Sequence, residues 1–514
     1  MIFRRRLWKK RGSCEGRLPQ AVEGPEPLGS GESQKEPNRR LARRIAANTL
    51  WVSGARILGK AAGFLVIILL ARHLGIEGFG KFAFVTAYLA LFGILTDLGV
   101  DLIVIREASK DLKGAESLVG NGILLKAILA GVVYAVSMLV AWFSGYEADK
   151  LLYIAISGAG FFLAPLTLYT AAFFSSLDLR VPSLLEIAAR ILSLLLVLLV
   201  ICAGQGLAWV FAVIVFAGAL EAFGKAHYAR QRFRPQWRVD PSQWKYLIRE
   251  ALPLALVVIP TLVIQRIDQI MLEDIRGDAA LGYYSAAVRL TEAFLILPVA
   301  AMSSLFPLLS KYWEQEPEAF SRASRTGFQV LSILGVAVPC LLLPVAGQAV
   351  TLLFGEPFAP SEAPAVVLAG TLAFLFGGFL LASLFVIMGQ QKVLGLVISL
   401  GAVLNVVLNG LWIPSFGATG AALATLACYG FAMIAAAFYP PMFAHGKAYL
   451  LSLLRPAIAG AASLAVSFKI FPNDDPLAVS LTFLPLYGCL LAVTGAFRRE
   501  EWLLAKRVLF RSAG

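Results

Sequence analysis

Charge is what this sequence has least of. Only 15% of its 514 residues are Asp, Glu, Lys or Arg, against about a quarter in a soluble globular chain. Beside 59% hydrophobic residues and a mean hydropathy of +0.76, that scarcity excludes a soluble enzyme, a disordered scaffold and a nucleic-acid-binding domain. Histidine is scarcer still. His73, His227 and His445 lie far apart and leave no spacing for a zinc site. Of five cysteines, Cys202, Cys340, Cys428 and Cys489 sit singly in apolar runs and Cys14 in a polar stretch, which is neither a disulfide framework nor a metal-ligand pattern. The loops carry no paired acids, no nucleophile beside a base and no glycine-rich phosphate loop. The longest outside loop has only about ten residues. A membrane enzyme such as a glycan polymerase or ligase needs a long polar loop for its chemistry, so no enzyme is expected.

What is present is apolar sequence in lengths that cross a bilayer. Residues 1–48 are polar, with Gly, Pro and Glu between basic clusters. Met1-Ile-Phe-Arg-Arg-Arg begins like a signal peptide, but no apolar run follows before residue 45, so a cytoplasmic, disordered basic tail is expected instead of a cleaved leader. Fourteen apolar segments follow: 49–71, 79–96, 119–141, 151–173, 184–204, 207–226, 250–272, 281–309, 326–354, 362–388, 392–412, 417–443, 449–470 and 476–497. Most exceed the roughly 18 residues that mark a membrane span. Backbone groups in lipid must pair internally, and continuous apolar runs do not suit barrel strands, so the segments are predicted as helices.

The basic residues alternate with the segments. With the amino terminus in the cytoplasm, inside regions hold 33 Lys and Arg, whereas outside loops hold five: Arg72, Lys81, Lys150, Arg276 and Lys469. This bias accounts for the net charge of +13 without nucleic acid and predicts fourteen spans with both ends cytoplasmic. A shift of 202 residues brings the start of segment 1 near that of segment 7. Gly80-Lys-Phe-Ala then faces Gly282-Tyr-Tyr-Ser, and Phe92, Ile94 and Leu95 fall on Phe294, Ile296 and Leu297. Both segments enter from the same side, so the repeat is parallel, one of the two arrangements in transporters that place a substrate between halves.

Asn48-Thr-Leu-Trp, Leu70-Ala-Arg-His-Leu-Gly-Ile-Glu-Gly-Phe-Gly80 and Asp97-Leu-Gly-Val resemble the opening of Wzx-type polysaccharide flippases. Arg266-Ile-Asp-Gln-Ile-Met-Leu, Gly282-Tyr-Tyr-Ser-Ala-Ala-Val-Arg-Leu-Thr-Glu292, Leu297-Pro and Phe306-Pro-Leu-Leu-Ser310 extend the resemblance, which covers residues 45–445. These flippases belong to the multidrug/oligosaccharidyl-lipid/polysaccharide (MOP) exporter superfamily, with the lipid II flippases and the MATE drug antiporters. The resemblance implies an all-α polytopic protein with two six-helix lobes around a central cavity, 49–226 and 250–443. A basic inter-lobe loop (227–249), two further helices (444–497) and a cytoplasmic tail (498–514) complete the expected organisation. It also implies a multi-pass protein of the cytoplasmic membrane that moves a polyprenyl-pyrophosphate-linked glycan by alternating access. Its partners would be that lipid-linked glycan, membrane lipids, and the polymerase and glycosyltransferases of the same pathway, with no nucleic acid. The long amino-terminal tail departs from the compact terminus usual in the family.

Ionisable residues inside the segments are the candidate site. A central Lys or Arg costs about 2.5–3.5 kcal/mol on insertion scales. Arg56 and Lys60, four apart on one face of segment 1, have no acid beside them on that helix. They are candidates for a lipid pyrophosphate, with pairing to Asp97 as the structural alternative. Arg266 and Arg289 are the other pyrophosphate candidates. Asp268 and Glu292 are candidates for a coupling ion, H⁺ or Na⁺, with a structural salt bridge as the alternative; no other cofactor is expected. Two residues turn a helix about 200°, so Arg266 and Asp268 must face nearly opposite sides. Arg289 and Glu292 are spaced to pair. Glu186 with Arg190 and Glu221 with Lys225 are expected as helix pairs, and Asn405 with Asn409 as an interhelical polar stripe. Lys126 and Arg455 are expected to snorkel, and the acids of the outside loops, Glu147, Asp149, Asp274 and Asp278 among them, to be solvated. The competing functions on the same fold are a MATE-like drug/cation antiporter, which favours acids and aromatics in the first lobe, and a lipid II-type flippase. A structural scaffold gives no reason to bury Arg56 and Lys60.

Overall fold

The computed structural model describes residues 35–111, 114–175, 178–231, 233–471 and 475–495, with side chains from residue 59 onward. The chain divides into two units, Met1–Ile45 and Ala46–Gly514; the packing and sites described below belong to the second. Every regular element among the described residues is helical, as apolar segments without water to satisfy their backbones require. In the first half these are α1 (Lys35–Gly93), α2 (Val100–Lys110), α3 (Glu116–Phe143), α4 (Ala148–Gly158), α5 (Ala171–Ser175), α6 (Arg180–Cys202) and α7 (Leu207–Arg230). The second half has α8 (Pro241–Glu292), α9 (Ile296–Gln315), α10 (Pro317–Phe354), α11 (Glu362–Ile387), α12 (Gln391–Phe438), α13 (Phe443–Ile470) and α14 (Pro476–Val493). Helix α1 starts at Lys35, inside the stretch expected as a disordered tail. Residues 1–34 and the expected carboxyl tail, 498–514, lie outside the described residues.

Eleven helical stretches are long and apolar enough to cross a membrane, against the fourteen segments expected. The difference lies in α1, α8 and α12, each bent at one glycine: Gly75 (φ 68°), Gly277 (φ 79°) and Gly417 (φ 55°). A positive φ is where a side chain clashes and glycine does not. Gly75 and Gly277 fall between two expected segments and Gly417 opens the segment expected at 417–443, and at two of the three the fold-back is visible. Tyr284 reaches back to hydrogen-bond Asp268, sixteen residues earlier. A β-carbon at Gly420 would sit 2.4 Å from the Trp412 carbonyl oxygen, although eight residues of straight helix span about 12 Å. Gly75 and Gly277 are 202 residues apart, the offset of the internal repeat.

Two lobes, α1–α7 and α8–α12, result. Helices α13 and α14 pack on α10, where the Tyr487 hydroxyl donates to the Ile333 carbonyl at 3.0 Å and Ser480 to that of Leu341 at 3.1 Å. At the end that carries the glycine bends, the hairpin end, the lobes share one core. Phe79 of α1 stands edge-on to Phe358 at 5.8 Å and tilts against Phe354 at 6.4 Å. Elsewhere large apolar side chains face outward, including Leu139, Trp142, Leu199, Phe216, Leu256, Val403 and Leu481. A soluble surface does not carry such a belt, and a lipid-facing one does.

Two expectations are revised. Segment 151–173 is not one α-helix: Ala159–Thr170 is a 3₁₀ stretch running through Pro165, which has no N–H for a helical hydrogen bond. The inter-lobe loop is shorter than residues 227–249, because α7 runs to Arg230 and α8 starts at Pro241. Its described residues are pinned to the first lobe. Phe233 is buried, the Gln236 N–H donates to the Glu116 carbonyl at 3.1 Å, and the Asp240 N–H donates to Asn121 Oδ1 at 2.8 Å.

Candidate functional site

Helix periodicity sends Arg266 and Asp268 to different sides of α8, and the structure decides which goes where. Asp268 points into the second lobe and is buried. Its carboxylate accepts hydrogen bonds from the Tyr284 hydroxyl, from Thr425 Oγ1 at 3.4 Å and from the Gln269 N–H at 2.8 Å. Tyr284 arrives from the other arm of the α8 hairpin and Thr425 from the second arm of α12. The site therefore exists only because both helices fold back at their glycines. A cavity of about 140 Å³ opens beside it, lined by Asp268, Tyr284, Thr425, Tyr429, Thr371 and Glu292.

Arg266 turns the other way and meets Glu292, with Nη2 at 3.6 Å from Oε1. Arg289 takes the other oxygen, Nη1 to Oε2 at 2.8 Å, one helical turn away. One carboxylate thus holds two guanidiniums, and Asp268, which lines the same cavity as Glu292, lies within Coulombic reach of Arg266. The shared carboxylate fixes both arginines in place, and a guanidinium fork is the geometry that phosphate oxygens match. Thus Arg266, Arg289 and Glu292, separated in sequence by 23 and 3 residues, form one group.

In the first lobe the Lys60 side chain is exposed, and it makes no ion pair among the described residues. The Arg56 side chain lies outside the described residues. Asp97, the acid considered as their partner, is engaged elsewhere. Lys126 is 1% exposed and does not snorkel: its ammonium bonds Asp97 at 2.8 Å, Asp101 at 2.6 Å and Thr167 Oγ1 at 2.9 Å. Sequence reading missed this cluster because Lys126 lies near one end of a predicted segment, and its partners come from α2, the turn before it and the 3₁₀ stretch.

The other charge expectations divide. Glu221 pairs with Lys225 at 2.5 Å, whereas Glu186 and Arg190 make no ion pair with each other among the described residues. Arg455 is exposed. Asn405 and Asn409 are buried and bond one another along the same helix, Nδ2 to Oδ1 at 3.1 Å, with Cys428 of the second arm of α12 beside Asn405. The loop charges are not simply solvated. Lys81 holds Glu147 and Asp149, and Lys150, with its side chain 7% exposed, pairs with Glu273 and Asp278 across the lobes.

A two-lobed helical bundle is the architecture that the resemblance in the sequence implies. The family model for polysaccharide biosynthesis proteins matches residues 45–313, and the chain belongs to that family. It is similar to the probable low-salt glycan biosynthesis flippase Agl15 of Haloferax volcanii, 23% identical over 413 residues that make up 78% of this chain and 84% of that protein. Among solved structures, lipid II flippase MurJ in an inward closed conformation shares the fold at a TM-score of 0.70 and 13% identity, over 86% of this chain and 98% of that one. A multidrug resistance MATE family transporter of the MOP superfamily, inward-facing, superposes at a TM-score of 0.58 and 16% identity, over 80% and 98%.

Proposed function

We propose that this protein is a flippase that carries a polyprenyl-pyrophosphate-linked oligosaccharide across the cytoplasmic membrane by alternating access between its lobes. It performs no covalent chemistry and works with both termini in the cytoplasm. The observation that carries the reading is the Arg266–Glu292–Arg289 group, which holds two guanidiniums on one carboxylate inside an apolar bundle. A diphosphate headgroup loses its hydration on entering such a cleft, and positioned guanidiniums replace it. Arg56 and Lys60 of the first lobe serve the same headgroup. The prenyl chain stays in lipid. Asp268, in its cavity with the hydroxyls of Tyr284 and Thr425, takes the coupling ion, H⁺ or Na⁺. The glycosyltransferases that build the glycan and the polymerase that receives it are the partners.

A drug/cation antiporter on the same fold is the second reading, supported by the MATE likeness and opposed by the two guanidiniums at the candidate site. The headgroup chemistry also suits a lipid II-type substrate, which carries the same diphosphate. Proteoliposomes loaded with a fluorescent polyprenyl-pyrophosphate oligosaccharide test the reading. Parental protein should expose the label to external quencher, and Arg266→Gln with Arg289→Gln, or Arg56→Gln with Lys60→Gln, should abolish exposure while eluting as folded protein. Asp268→Asn should remove the dependence on an H⁺ or Na⁺ gradient. Flipping at the parental rate by both double variants would exclude the headgroup assignment.

A further inference from the structure

The hairpin end holds a second buried charge group, distinct from Asp268 and from the Arg266–Glu292–Arg289 cluster. Lys150 of α4 belongs to the first lobe; Glu273 and Asp278 flank the Gly277 bend of α8 in the second. The Lys150 ammonium bonds Glu273 Oε1 and lies 3.1 Å from Asp278 Oδ1, and the three side chains are 7%, 8% and 15% exposed. Two carboxylates share one cation, so the group carries one negative charge in excess. Glu273 Oε2 is buried without any hydrogen-bond partner.

No neighbouring charge supplies the balance. On α4, Asp149 is held by Lys81 of α1, together with Glu147 before it. Asp274 on α8 accepts from the Tyr146 hydroxyl at 3.4 Å. Arg276 points across to α12 and donates to the Ile413 and Pro414 carbonyls. Arg72 of α1 likewise spends its donors on the Leu352 and Leu353 carbonyls of α10. His73 and Glu77 of α1, Glu356 after α10 and Glu362 of α11 are exposed. The Phe84 ring, 5.4 Å from the Lys150 ammonium, closes the remaining side.

A buried carboxylate oxygen without a donor, in a group where two carboxylates share one cation, is relieved by taking up a proton. The same three side chains become solvated when the lobes part, and the need for the proton goes with them. We infer that closing the lobes at the hairpin end takes up one proton at Glu273, beside Lys150, and that opening releases it. The contact is therefore a proton site of its own, made by two lobes and absent from either alone. It rests on the proposed alternating access only in that the contact must open. Because the closed form binds the extra proton, acid favours closure and alkali favours opening. In the window between the two proton affinities the closed-to-open ratio changes by up to tenfold per pH unit, the slope for a single proton.

Spin labels on Ser144→Cys, at the exposed end of α3, and Leu352→Cys, 75% exposed on α10, report the gap directly. The measurement uses full-length protein whose native cysteines are replaced by serine, in lipid nanodiscs from pH 5 to pH 9. The expected result is a short-distance population that grows as pH falls. Glu273→Gln, which keeps the shape and removes the charge, should hold the short distance across the range, and Asp278→Asn should flatten the profile in the same way. A parental distance distribution independent of pH, or the parental profile retained in either folded variant, would overturn the inference. The readout involves no substrate, so loss of flipping and loss of pH-linked closure remain separate results.

Discussion

Gly80 lies so close to Asp278 that a β-carbon on residue 80 would stand 1.9 Å from the Asp278 carbonyl oxygen, and 202 residues later Gly282 stands in the same relation to Ile76, at 2.3 Å. The pairs are exchanged by the internal repeat. Each lobe presses its glycine against the backbone that follows the other lobe's bend, at Gly75 and Gly277. Such an approach tolerates only hydrogen at the α-carbon, and the obstacle is backbone, which cannot turn aside.

Gly80→Ala and Gly282→Ala should therefore loosen the hairpin end. Overpacking of this kind costs about 1–3 kcal/mol, enough to lower the thermal midpoint in detergent. It should also raise the accessibility of a cysteine placed at Phe79, which the contact buries. Gly131→Ala is the control: nothing lies within 4 Å of its β-carbon position, and α3 is a helix, so alanine there should be neutral or mildly stabilising.

Lys126 organises the first lobe by holding Asp97, Asp101 and Thr167 together. Lys126→Met leaves two neighbouring carboxylates without their cation. Breaking a buried pair costs about 3–5 kcal/mol. Because the two acids are 32% and 29% exposed, the loss should fall at the lower end of that range. Adding Asp101→Asn should recover part of it in the same thermal melt. A Lys126→Met protein as stable as the parent would mean that the cluster contributes nothing.

Asp240 closes the inter-lobe linker onto α8 by accepting from the Ser242 N–H at 2.9 Å and the Ser242 hydroxyl at 2.6 Å. Those bonds from Ser242 hold its carboxyl below the usual carboxylate range. The cap is thus fully present above the ordinary aspartate range and is lost as pH falls through the lowered value. Hydrogen exchange should find the Ser242 amide protected at pH 7 and indifferent to pH between 6 and 8. Asp240→Ala should remove that protection at every pH without altering α13 or α14.

How much was legible in advance depends on the range over which each signal acts. Helical spans, their approximate ends and the 202-residue offset follow from apolar run length and glycine placement, which are local. The pairing of Arg289 with Glu292 was readable for the same reason, being one turn of helix. Lys126 was misread because its depth was judged from its distance to a segment end, and its two acids come from other elements. Lys150 and Asp278 looked like loop charges, and Glu273 was not singled out, because nothing local says that the loops of two lobes close on one another.

The sequence by itself determined a polytopic helical bundle with two repeated halves and ionisable residues within its apolar segments, since hydrophobic length and periodicity act within a single helix. Only the tertiary structure decided that Asp268 faces inward while Arg266 joins Arg289 on Glu292, and that Lys150 reaches the second lobe. Those outcomes depend on where helices fold back and which faces then meet, and side chains 120 residues apart in sequence become neighbours only when the backbone has brought them there.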